Sequence, residues 1–206
     1  MGKIKHTKTE LKAQSDALRR FERFLPMLQL KKQQLQAEIA DITARLERVA
    51  AREREALDGF SRWAGLLAER PDDLASLVRV TAVRTSTGNI AGVAIPVFEG
   101  IETEVAPIDL FATPPWFDEA ASGIADLIAF RAERAVLERQ RELIRAELQT
   151  TSQRVNLFEK VKIPECRENI RIIRIFIGDE QTAAVARGKI AKGRGTAPAP
   201  AVEAAE

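Results

Sequence analysis

One stripe constrains this chain more than any other feature. Steps of three and four residues from Leu11 visit Gln14, Leu18, Phe21, Leu25, Leu28, Lys32, Leu35, Ile39, Ile42, Leu46, Val49, Glu53, Ala56, Phe60, Trp63 and Leu67. The register is unbroken and apolar at all but three positions, with Lys, Arg, Glu and Gln on its flanks. A helix keeps such a seam facing a partner by supercoiling with it. At 1.5 Å per residue the helix would run roughly 85 Å, longer than a compact domain is wide. The chain is expected to be built as a rod.

Composition agrees. Half of the 206 residues are Ala, Leu, Lys, Arg or Glu, which with heptad spacing is a coiled-coil composition. Tyrosine is absent and aromatics make up 5%, too few for a large globular core. A net charge of +2 gives no strong steering toward nucleic acid. The single cysteine, Cys166, forms no internal disulfide and suits a reducing cytosol. No apolar run approaches a membrane span, and the basic start from Met1 to Thr9 has no apolar core behind it, so it is not a secretion signal.

Along the chain, Thr7-Lys8-Thr9-Glu10 fits a capping box, which starts the first helix. Pro26 interrupts it, either as a kink or as a junction of two helices; the register stays in phase, which favours a kink. The helix should end before Pro71, weakened by Gly59 and Gly65. From Leu77 to Thr87 the pattern is that of a strand, Ser86-Thr87-Gly88-Asn89 signals a turn, and Ile90 to Phe98 makes a second short strand limited by Pro96. Glu99 to Thr113 reads as loop. Thr113-Pro114-Pro115 starts a helix, with Thr113 as cap. A second stripe follows through Leu127, Phe130, Leu137, Ile144, Leu148, Thr151, Val155 and Phe158. It slips by about one residue near Pro164 and resumes at Cys166, Ile170, Ile173 and Ile177. Gly178 either ends or loosens this helix, and Gln181 to Lys192 continues it as a basic helix.

The expected fold is mainly α: a long antiparallel two-helix coiled coil with a central β-hairpin segment at one end. Its parts are an N-terminal helix (1–71, kinked near Pro26), a hairpin and loop head (72–113), a C-terminal helix (114–192) and a disordered Ala/Pro tail (193–206).

No catalytic, cofactor-binding or metal-binding residue is expected. His6 is the only histidine and reads as a solvated terminal residue. There is no Cys/His cluster for zinc, and Cys166 lies on the apolar stripe, where an inert buried thiol is the simpler reading. Gly188 to Gly193 lacks Walker spacing, and Asp72-Asp73 after Pro71 reads as a helix cap. The run Arg187, Lys189, Lys192, Arg194 is too short and too poor in aromatics for a nucleic-acid interface. Gln14, Lys32 and Glu53 read as register-setting polar residues of the seam.

One segment goes beyond periodicity. Gln153-Arg154-Val155-Asn156-Leu157-Phe158-Glu159-Lys160-Val161-Lys162-Ile163-Pro164, followed by Ile170-Arg171-Ile172-Ile173, resembles the C-terminal signature of the D subunit of V-type (A/V-type) ATP synthases. The motif residues are Val155, Asn156, Glu159, Ile163 and Pro164. Thr7-Lys8-Thr9-Glu10-Leu11 resembles that family's N-terminal start, and Asn89 to Pro96 its central Asn-Val-Met-Gly-Val-Arg-Val-Pro. The likeness covers about residues 3–192. Gln153 stands where the family usually has Arg, and the tail after Gly193 lies outside the pattern.

The resemblance implies a non-catalytic subunit of a rotary ATPase or ATP synthase, its central-stalk rotor shaft, which needs no cofactor. Its implied partners are the catalytic and regulatory nucleotide-binding hexamer subunits, a small central-stalk subunit and the funnel subunit above the membrane ring. No nucleic acid and no membrane insertion are implied, and the location is cytoplasmic and peripheral to the membrane. Arg154, Arg167, Arg171 and Arg174 would face the hexamer's bore, with Lys3, Lys5 and Lys8 beside them. Thr85, Gly88, Asn89, Gly92 and Pro96 of the hairpin would face the stalk partners. The alternative is a prefoldin-like coiled-coil chaperone or adaptor, which also joins two helices through a hairpin but has shorter chains.

Overall fold

The computed structural model describes residues 4–61, 65, 77–107 and 114–195. Its elements, in chain order, are helix α1 (Lys8–Ser61), strands β1 (Val78–Ile90) and β2 (Val93–Val105), helix α2 (Phe117–Leu157), a π-helical turn (Phe158–Lys162) and helix α3 (Ile163–Gly195). The chain divides into two compact units, one of residues 1–28 and 154–206, the other of residues 29–153. The expected mainly helical architecture with a two-stranded antiparallel hairpin is present.

The stripe is the buried face of α1. Every one of its positions from Leu11 to Phe60 is buried or half-buried, while most residues between them are exposed. α1 begins where its cap predicts: the Glu10 amide donates to Thr7 Oγ1 at 3.2 Å. The Glu10 carboxylate does not turn back to the cap but accepts from Gln14 Nε2 at 2.8 Å. Pro26 lies inside one unbroken helix, so the junction of two helices is not what forms. Trp63, Leu67, the helix end before Pro71, Asp72-Asp73, the Thr113 cap and Lys3 all lie outside the described residues.

In the unit of residues 29–153, α1 and α2 run antiparallel: Lys31 pairs with Glu147 at 2.6 Å, and Glu53 with Arg131. Its core joins Leu35, Ile42, Leu46 and Val49 of α1 to Leu137 and Ile144 of α2 and to Ile95 of β2. Ile90, Ala91 and Val93 pack on the same cluster, so the tip of the hairpin lies against the helix pair. Its base is held separately: Leu77 is buried with Phe117, Ala120 and Ala121, and the Ala106 amide donates to the Leu77 carbonyl at 2.9 Å.

Three local expectations are corrected here. The turn is not at Ser86–Asn89 but at Ala91-Gly92, with φ of 51° and 82° and Ile90 paired to Val93. Two left-handed residues give the twist that a two-residue hairpin needs. β2 continues to Val105, so Glu99 to Val105 is strand rather than loop. A one-residue bulge at Glu99 had hidden its alternation, because a bulge moves every later side chain to the other face. α2 starts at Phe117, after a turn closed by the Phe117 amide on the Pro114 carbonyl at 3.1 Å, three residues later than Pro114 suggested.

In the unit of residues 1–28 and 154–206, the two helical segments again run antiparallel: His6 meets Phe176 and Phe21 meets Phe158, with ring centroids 4.8 Å and 4.9 Å apart, and Glu22 pairs with Arg167 at 2.8 Å. The slip near Pro164 has a physical cause. Pro164 has no N–H to donate one helical turn back, and the preceding turn widens, with the Ile163 amide donating to the Phe158 carbonyl. A π-turn inserts one residue, so Val155 before it and Ile163, Cys166, Ile170 and Ile173 after it are all buried. Gly178 does not end α3; Thr182 Oγ1 donates to its carbonyl at 3.0 Å and the helix runs on to Gly195, past the Gly193 at which the tail was expected to begin.

Candidate functional site

Among the described residues, no group of three or more His, Cys, Asp or Glu side chains is placed to hold a metal ion. His6, the one histidine, is exposed as expected, and its ring lies 4.8 Å from that of Phe176. Cys166 is buried, and burial pushes its thiol above the usual range, which disfavours the reactive thiolate. The described residues present two exposed surfaces.

The first surface is on α3. Arg167, Arg171 and Arg174 fall on one exposed face at helical spacing, and Arg154 is exposed before the π-turn. Arg167 is held by Glu22, and Arg171 donates to both oxygens of Glu168, from Nε at 2.9 Å and Nη2 at 2.7 Å. The Arg171 fork in turn holds the Glu168 carboxyl below the ordinary range. These pairs stand largely in water, so each is weak and can yield to a better-placed partner carboxylate.

Large apolar side chains are exposed in the same unit. Phe24, Met27, Leu157, Val161, Ile172, Ile175 and Phe176 are exposed, Met27 at 60%. Sequence reasoning missed them. The signal was present in the runs Ile172-Ile173 and Ile175-Phe176-Ile177, which carry more apolar residues than a two-helix seam can bury. A patch of this kind marks an interaction surface.

The motif residues divide by role. Val155 and Ile163 are buried in the seam, Pro164 is at the widened turn, and Asn156 and Glu159 point outward. Lys5 and Lys8 are exposed.

The second surface is the hairpin. Asn89 Oδ1 accepts from the Gly92 amide at 2.9 Å and so braces the turn. Gly88 faces Val97, and a Cβ there would sit 2.8 Å from Val97 Cγ2. Gln140 donates to the Pro96 carbonyl, which ties β2 to α2. Gly88, Asn89, Gly92 and Pro96 therefore shape and anchor the hairpin, while Thr85 lies on its exposed part. Val80, Val83 and Val105 are exposed at 41–45% and Phe98 and Ile101 are half-buried, all on one face.

Comparison with known proteins follows the same lines. The family model for the D subunit of ATP synthase matches residues 10–193. The chain is 45% identical over 192 residues to a V-type ATP synthase D subunit of Borreliella burgdorferi, covering 93% of this chain and 95% of that one. It is 31% identical over 197 residues to the protein of the same name from Chlamydia caviae and 30% over 193 residues to that from Chlamydia felis, with 93% of each chain covered.

Proposed function

This chain belongs to the ATP synthase D-subunit family, and on that premise we propose that it is the central-stalk rotor shaft of a V-type ATPase or ATP synthase. It couples rotation of a proton- or sodium-carrying membrane ring to ATP synthesis or hydrolysis in a hexamer of nucleotide-binding subunits. The chain itself supplies no catalytic group. It changes which side of an asymmetric surface each catalytic interface meets, and a conformation is favoured only by as much as that contact differs between states.

The observation that carries this reading is the pairing of exposed apolar and basic side chains on one helical segment. Ile172, Ile175 and Phe176 supply exposed apolar surface, and Arg171 and Arg174 supply exposed cations, on the same helix. A collar with acidic and apolar residues in a hexamer's bore is the complementary environment. The hairpin is assigned to the small central-stalk subunit and the funnel subunit. No helix among the described residues is long and apolar enough to cross a membrane. Attachment to the cytoplasmic face of the membrane ring is assigned to these protein partners, as part of the same proposal.

The test is rotation itself. The complex is fixed by its hexamer, and a bead is attached to a cysteine introduced at Lys31. Stepwise rotation driven by ATP is the expected result; hydrolysis with a stationary bead refutes the rotor assignment. The hairpin assignment is tested by deleting Thr85 to Ile90, which should weaken partner binding and coupled ATPase. Unchanged binding and coupling would remove it.

A further inference from the structure

The hairpin has two edges, and they differ. Ile90 and Val93 flank a two-residue turn, so they exchange both backbone bonds. Alternation then makes Gly88 with Ile95 and Ser86 with Val97 bonded pairs, and Thr87 with Pro96 and Thr85 with Phe98 non-bonded pairs. Backbone groups of the non-bonded residues point away from the partner strand. On β2 that edge is closed at Pro96, which has no N–H and whose carbonyl is taken by Gln140. On β1 every residue from Arg79 to Thr87 is exposed, with no proline or glycine in the run. The outward N–H and C=O groups of Thr85 and Thr87 thus form a strand edge of the kind that proteins normally blunt or cover.

We infer that the β1 edge accepts an added strand from another protein of the complex, one whose residues alternate between acidic and apolar. The two faces of β1 set that pattern. A bulge at Thr81 keeps Arg79 on the same face as Arg84, opposite Glu104 and near Glu102 respectively. Arg84 is 59% exposed and only 3.5 Å from Glu102, so most of its donors remain available to an incoming carboxylate. The opposite face carries Val80 and Val83, 41% and 45% exposed, which an apolar residue of the added strand would cover. A second copy of β1 is a poor occupant, because it brings two further arginines to an already basic edge. Main-chain bonds supply affinity and the alternating side chains supply choice, as in other strand-addition interfaces.

This inference rests on the hairpin assignment above and specifies its chemistry. The experiment uses the assembled complex. Thr85→Pro removes one outward N–H that the hairpin itself does not use, and proline is tolerated at such a position, as Pro96 shows on the other strand. Thr85→Val keeps the N–H. Binding of the chain to its stalk partners should weaken about tenfold or more in Thr85→Pro and stay near the original in Thr85→Val. In the unmodified complex, hydrogen exchange at the Thr85 and Thr87 amides should slow at least about tenfold relative to the free chain. Free-chain exchange rates within the complex overturn the inference whatever the variant does. Equal protection in the isolated chain, with a dimer mass, overturns it in favour of self-pairing. If deletion of Thr85 to Ile90 releases the partners but Thr85→Pro does not, the hairpin assignment stands and strand addition fails.

Discussion

Arg131 on α2 donates its Nε to Oε1 of Glu53 on α1 at 3.1 Å, and Glu53 occupies a seam position where an apolar residue would be expected. Arg134, one turn further on, reaches Glu53 Oε2 from Nη1 at 3.3 Å. The Glu53 side chain is 11% exposed, whereas the Arg131 and Arg134 side chains remain in contact with water. The buried acid is thereby compensated from the rim of the helix pair.

Removing only the charge should cost stability. Glu53→Gln leaves a buried amide facing two cations and is expected to destabilise by about 1–2 kcal/mol, between the exposed and fully buried limits. Glu53→Leu fills the seam and leaves both arginines free to enter water, so it should be neutral or stabilising. Urea unfolding of the two variants decides this; a Leu variant weaker than the Gln variant contradicts the account.

The same pair predicts a pH dependence. The hydrogen bond from Arg131 lowers the Glu53 carboxyl below its ordinary value, burial opposes it, and Arg134 adds to the lowering. A depressed native value means that the unfolded chain binds the proton first as pH falls. The stabilisation is therefore present above the ordinary carboxylate range and is lost as pH drops through the native value. Between about pH 6 and about pH 3, the original chain should lose more stability than Glu53→Leu. Parallel curves would show that the pair contributes nothing.

Ala91 holds φ at 51° in the hairpin turn, a region costing a non-glycine residue about 1 kcal/mol. Ala91→Asn creates the Asn-Gly pair that such turns favour. It should slow hydrogen exchange across β1 and β2 by several-fold. Gly92→Val at φ 82° should do the reverse. An Asn variant that exchanges faster than the original chain would refute the turn assignment.

Gly123 sits against the Phe60 ring, where any Cβ would collide. Gly123→Ala raises local helix propensity by about 1 kcal/mol, yet overpacking against an aromatic ring should outweigh it, for a net loss of about 1–3 kcal/mol. Phe60→Leu combined with Gly123→Ala should recover part of that loss. A stabilised single Ala variant would show that α1 and α2 are not in close contact there.

The Cys166 thiol, buried at 5% exposure and raised mainly by that burial, should react with iodoacetamide at least about tenfold more slowly than a free thiol. Denaturant should restore the free rate. Rapid alkylation of the native chain would place Cys166 outside the seam.

The helices were legible because their signal is local and repeated. Leu11, Leu18, Ile42 and Val49 obey one period, and an error at any one position is outvoted by the rest. Even the π-turn was visible as a one-residue slip between Val155 and Cys166, since an inserted residue displaces every seam position after it. The hairpin was less legible. Ser86 to Asn89 resembles a turn in composition, but Asn89 instead supports a turn two residues later through its side chain. The bulge at Glu99 broke the alternation that identifies a strand.

The surfaces divide in the same way. Arg167 and Arg171 could be placed on an outer helix face from spacing alone, but their partners Glu22 and Glu168 could not both be. Glu168 is three residues from Arg171, whereas Glu22 is far away in sequence and meets Arg167 only through the antiparallel pairing. The packing of Ile95 against Ile42 and Ile144 was likewise out of reach, because a period-two strand carries no mark of which helix face will cover it.

By itself, then, the sequence determined which residues turn inward, where the periodic register slips, and through its motifs the family to which the chain belongs. Tertiary structure alone decided how the hairpin lies on the helix pair, which of its two edges is closed, and which apolar residues are left in water. The physical reason is range. Periodicity and capping act over a few residues and are written in consecutive positions. Contacts such as Gln140 with Pro96 depend on chain reversals whose register is set by side chains far apart in the sequence.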